Sequence, residues 1–145
     1  MEAGCVDTHL GRCVPGNPTF VEQNMTGGGS MIAANYIYGV AKPDGLTLGV
    51  VSPAMYVEQV TGKKEVQYDW FKFSYIGSPA MPADRLKMLR DGFNKMIADP
   101  ELLADAKKRG LDATPASGED LEAMIKDAGV PSAEIIRQFK PLLEN

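Results

Sequence analysis

Residues 26–51 read TGGGSMIAANYIYGVAKPDGLTLGVV, and the fold expected of the chain turns on them. Ile32, Tyr36 and Val40 recur at helical spacing and Ala33 and Ala34 are strong helix formers, which predicts a helix over about 30–41. Lys42-Pro43-Asp44-Gly45 stops it. Leu46-Thr47-Leu48-Gly49-Val50-Val51 then reads as a mostly apolar strand, of the kind that a parallel sheet covers on both faces. Upstream, Thr19-Phe20-Val21 opens another strand candidate that ends near Asn24. Strand, helix and strand in that order make a β-α-β unit with a right-handed crossover. The expected class is therefore α/β, a small parallel or mixed sheet with packed helices, three or four strands and five or six helices in all.

Working outward, Ser52-Pro53 leads into a short helix around Met55 to Val60, and Trp70, Phe71, Phe73 and Tyr75 form an aromatic strand candidate ending at Ile76-Gly77. Eleven of the 15 glycines and nine of the eleven aromatic residues precede residue 81, so composition changes near Ser78-Pro79-Ala80-Met81-Pro82. This separates a β-α-β part with a glycine-rich loop, 1–80, from a helical part, 81–145, expected to pack on the same lobe. Pro82-Ala83-Asp84 suits a helix entrance, with Leu86, Leu89, Phe93, Met96 and Ile97 as its apolar stripe and Lys87 and Asp91 paired outside. Asp99-Pro100 ends that helix and permits another from Glu101 to Arg109, closed by Gly110. Ser117 and Asp120 have capping-box spacing before Leu121, Met124 and Ile125, and Gly129 closes that helix. Pro131 opens the last, with Ile135, Ile136, Phe139 and Leu143 expected on its buried side.

With 145 residues and a net charge of −4, the chain has ordinary globular composition and room for one domain. The charge is spread evenly, 5 basic against 7 acidic residues over 1–80 and 10 against 12 over 81–145, so no nucleic-acid partner is expected. No apolar run is long enough to span a membrane, and MEAGCVDTHL lacks the basic-then-apolar pattern of an export signal. The expected location is cytoplasmic as written, and periplasmic where a signal peptide has been removed or omitted. Cys5 and Cys13 flank His9 with poor metal-site spacing; free thiols are the leading reading, with a disulfide in an oxidising compartment left open. No cofactor or metal is expected.

His9 is the sole histidine, it sits in a weakly patterned start, and no nucleophile occupies a strand-turn-helix elbow. It reads as a surface histidine, and no enzyme activity is expected. The informative feature is the glycine run. Gly27, Gly28 and Gly29 can bring backbone N–H groups together ahead of a helix whose own first N–H groups are unpaired, a surface suited to a carboxylate. The run matches neither GxGxxG nor GxxxxGK[ST], so nucleotide binding gains no support. Ser30 reads more as a helix cap than as a ligand donor, and Ser52 either donates at a strand end or belongs to an ordinary turn.

Pro15-Gly16-Asn17-Pro18-Thr19, Asn24-Met25-Thr26-Gly27-Gly28-Gly29, Ala33-Ala34-Asn35-Tyr36, Pro43-Asp44-Gly45-Leu46-Thr47 and Phe73-Ser74-Tyr75-Ile76-Gly77-Ser78 follow one another in the order of a known pattern. So do Pro82-Ala83-Asp84-Arg85, Asp99-Pro100-Glu101 and Ala106-Lys107-Lys108-Arg109-Gly110-Leu111. The chain thereby resembles the periplasmic solute-binding receptors of tripartite tricarboxylate transporters, over about residues 15–145 and in a shortened form without the first strand and most of the second lobe. The resemblance implies a single reduced lobe of the type II periplasmic-binding-protein fold. It implies weak binding of a small carboxylate at Gly27, Gly28, Gly29, Ser30 and Ser52, and a membrane permease as partner if the receptor role is retained. The missing strand implies a homodimer that completes the sheet by exchange. The alternative is a truncated or repurposed oligomeric interaction protein with no ligand or transport activity.

Overall fold

The computed structural model describes residues 9–73, 78–110 and 116–143, and it is built from helices. The described part of α1 covers residues 9–13. A 3-10 turn, Gly28–Ser30, leads into α2, Met31–Gly39; α3 is Ala54–Val60, and a second 3-10 turn covers Trp70–Lys72. The C-terminal half carries α4 (Ala83–Ile97), α5 (Pro100–Lys108), α6 (Gly118–Ala128) and α7 (Ala133–Leu143).

The α/β expectation is overturned. Among the described residues no strand or sheet forms: Leu48 has an isolated bridge, and the rest of 46–51 and all of 19–24 are irregular. Val21, Leu46 and Val50 stand 88%, 77% and 65% exposed, while Phe20 and Leu48 pack against one apolar cluster and Val51 against another without forming a strand. A strand is stabilised by its neighbours' hydrogen bonds and covering faces rather than by its own residues, and here neither neighbour is present. The aromatic segment curls instead into the Trp70–Lys72 turn, closed by Asp69, whose side chain accepts from the Phe71 N–H; Ser74 to Gly77 lie outside the described residues.

The helices follow their local signals. Asp99 caps α5 by accepting from the Glu101 N–H at 2.9 Å, and Pro100 occupies the first turn, where it lacks only an N–H that would be unpaired anyway. Ser117 and Asp120 form the complete capping box at α6: the Asp120 N–H donates to Ser117 Oγ at 3.1 Å, and the Ser117 N–H donates back to the Asp120 carboxylate at 3.0 Å. Gly110 and Gly129 leave their helices at φ 68° and 57°, a region where a side chain would be strained. Lys87 and Asp91 pair at 2.6 Å along the outer face of α4.

Two apolar clusters hold the chain together. In one, Leu10 and Val14 at α1 meet Met81 and Leu89, Met96 and Leu102 of α4 and α5, with Leu86, Phe93 and Ile97 packed around them. In the other, Met31 and Ala34 of α2 meet Met55 of α3 and Tyr68, with Trp70 and Phe73 packed at the edge. Asn35 ties the second cluster together by donating to the Glu65 carbonyl and accepting from the Gln67 N–H, each at 2.9 Å. Full burial of side chains this size contributes about 1.5–3 kcal/mol each, which is what the clusters supply in place of a sheet.

Candidate functional site

Helix α6 is anchored to the body of the chain, and the stretch from α6 to α7 leaves apolar side chains exposed. At the start of α6, Arg90 of α4 forms ion pairs with Glu119, at 3.7 Å, and with Glu122, and Gly118 lies against the Arg90 side chain. Just past its end, the Tyr56 hydroxyl of α3 donates to the Gly129 carbonyl at 2.7 Å. Leu121 and Ile125 are half-buried on the anchored side. Met124 is 63% exposed, and beyond it Val130 is 66% and Ile135 48% exposed. No described apolar side chain of α6 or α7 is buried, unlike those of α4 and α5. The expectation that Ile135 and Ile136 face a buried side is corrected: Ile135 is exposed and Ile136 half-buried, while the side chains of Phe139 and Leu143 lie outside the described ones.

Along α6 and α7 the exposed carboxylates are Glu119, paired with Arg90, and Asp120, Asp127 and Glu134, and the exposed cations among the described side chains are Lys126 and Arg137. Asp120 is held below the usual carboxylate range, first by the hydrogen bond from the Ser117 hydroxyl and then by that from the Ser117 N–H. The sequence contains the signals for both helices and their stripes; what it cannot carry is whether another part of the chain covers them.

The glycine loop lies directly ahead of α2. Gly27, Gly28 and Gly29 all have positive φ and are exposed, and they turn the chain into α2, packing against α3. Ser30 is at φ 89° and its side chain makes no capping bond. Ser52 Oγ accepts from the Ala54 N–H at 3.2 Å, the ordinary turn arrangement. With no sheet among the described residues there is no crevice at strand ends. The receptor resemblance falls on that ground, and with it fall the small-carboxylate ligand, the strand-exchanged homodimer and the permease that followed from it.

A second constellation joins residues far apart in the chain. His9 is 6% exposed, so it is a buried histidine rather than the surface one expected. Arg12, one turn along α1, donates from Nη2 to His9 Nδ1 at 2.7 Å and from Nη1 to Glu101 at 2.8 Å, with Asp99 3.7 Å from Nη2. One ligand atom each of His9, Asp99 and Glu101 lies within 4.8 Å of the others. Glu101's hydrogen bond raises the Arg12 pKa further above its already high ordinary value. Cys13 is a free cysteine, and Cys5 lies outside the described residues. His9 and Arg12 have the i, i+3 spacing of one helix face, a signal present in the sequence; nothing in it joins that face to the start of α5.

Comparison with family models, with curated proteins and with solved structures gives no match for this chain. Among the described residues, no helix is long and apolar enough to cross a membrane.

Proposed function

We propose that the chain is a helical interaction protein whose α6–α7 pair docks an amphipathic helix of another protein. The observation that carries this reading is the exposure of three apolar side chains, Met124, Val130 and Ile135, along a stretch whose first helix is pinned to the body by Arg90 and Tyr56. Helices of 11 residues, the length of α6 and of α7, are marginal in water by themselves, and an amphipathic face ordinarily becomes stabilising when something packs on it. Here the packing within the chain is only partial. Among the described side chains, exposed carboxylates outnumber exposed cations along α6 and α7, which favours a partner helix with an apolar stripe flanked by Lys or Arg that gains both burial and charge complementarity.

The reading is tested by placing a photo-crosslinking amino acid at position 124 or 135 in cells that make the protein, with position 87 on the outer face of α4 as control. The expected result is one shared adduct at 124 and 135 and none at 87. The purified partner should then bind the wild-type chain and lose binding to Met124→Glu and Ile135→Glu while circular dichroism shows both variants folded. Equal adducts at all three positions, adducts only with further copies of this chain, or unchanged binding by the folded variants would reject the proposal.

A further inference from the structure

We propose that His9, Asp99 and Glu101 form a binding site for a divalent transition-metal ion, which enters by displacing the Arg12 guanidinium. A guanidinium can only donate, so Nδ1 of His9 accepts in this contact and its lone pair points at the place where a cation already sits. That nitrogen belongs to a side chain that is itself buried, so burial holds the ring in position. Both carboxylates are positioned by the start of α5: Asp99 is its N-cap and Glu101 lies in its first turn. Three ligand atoms from two distant stretches of chain thus converge on one cation position, with Arg12 standing in for the ion.

Charge favours the exchange. Asp99 and Glu101 together carry two negative charges and the guanidinium only one positive charge, whereas a divalent ion balances both. Arg12 is 53% exposed along its side chain, so the displaced guanidinium has an open route into solvent. One imidazole nitrogen and two carboxylate oxygens suit Zn²⁺, Co²⁺ or Ni²⁺, with water completing the coordination; Ca²⁺ and Mg²⁺ prefer all-oxygen sets of six or more. The site is independent of the docking face on α6–α7.

The test uses the full chain with Cys5→Ser and Cys13→Ser, which removes thiolate ligands from consideration. Co²⁺ is titrated while its visible d–d absorption is followed, and Zn²⁺ binding is measured by calorimetry. Expected are one-to-one saturable binding, displacement of Co²⁺ by Zn²⁺, and affinity raised about tenfold or more in Arg12→Gln, because groups bearing on the ligand set change metal affinity on the order of 10–100-fold. His9→Gln should lose the Co²⁺ band and at least about tenfold in affinity. Glu101→Gln, at an exposed position outside the apolar core, should weaken binding with circular dichroism unchanged. Absence of saturable binding in the cysteine-free chain and in Arg12→Gln, or binding that survives both His9→Gln and Glu101→Gln, overturns the proposal.

Discussion

Gly92→Ala sets helix propensity against tertiary packing and asks whether α1 rests on α4. In an exposed helix interior this replacement stabilises by about 1 kcal/mol, because alanine loses less backbone entropy than glycine. Gly92 is buried within α4, however, and a Cβ there would stand 2.8 Å from Val14 Cγ2 and 3.2 Å from the Cys13 carbonyl oxygen. The valine is 4% exposed and stiff at χ1, and the carbonyl belongs to the backbone, so neither yields easily. Overpacking of this kind costs about 1–3 kcal/mol, which outweighs the propensity gain and leaves a net destabilisation of about 1 kcal/mol. Urea unfolding followed by far-ultraviolet circular dichroism measures it, with the fluorescence of Trp70 reporting the other apolar cluster. Val14→Ala removes the obstructing methyl groups, so the double variant should be more stable than the two single changes add up to, by at least about 0.5 kcal/mol. A Gly92→Ala chain that gains the full propensity increment, with an additive double variant, would refute the packing of α1 on α4 and the placement of His9 beside Asp99.

Further outcomes follow from the same contacts. Arg90→Ala removes the ion pairs to Glu119 and Glu122 and should speed amide hydrogen exchange across α6 while leaving α4 protected; hydrogen-bonded charged pairs of this type are worth about 1.5–3 kcal/mol, and unchanged exchange would show that α6 is held otherwise. Ser117→Ala should cost about 1 kcal/mol at the α6 cap. Because Asp120 has a lowered pKa, its contribution is fully present above the ordinary carboxylate range and is lost as pH falls through the depressed value, which amide shifts at 118–121 would report; an acid transition identical in wild type and Ser117→Ala would exclude the coupling. Burial, and secondarily the charge of Glu58, pushes Tyr68 up to about 12. Its contribution is present below the ordinary tyrosine pKa of about 10 and is lost as pH rises from there towards about 12, so Tyr68→Phe should flatten that part of an alkaline denaturation series; an unchanged slope would reject it.

By itself the sequence determined where α2 to α7 lie, but not α1 or the Trp70–Lys72 turn. Asp99-Pro100, Ser117 with Asp120, Gly110 and Gly129 act through hydrogen bonds and backbone angles within a few residues, so their effect is contained in the local sequence. The stripe Leu89, Met96 of α4 likewise identified a face that proved buried. Only the tertiary structure decided that Leu46 to Val51 pairs with no sheet, since a strand's hydrogen bonds belong to its neighbours and an apolar run carries no record of whether they come. Tertiary structure also decided that His9 is buried beside Asp99 and Glu101, a meeting across about ninety residues that depends on how α1 seats against α4 and α5. Met124 and Ile135 show the same division: periodicity marked their helices as amphipathic, but exposure depends on what the rest of the chain leaves uncovered.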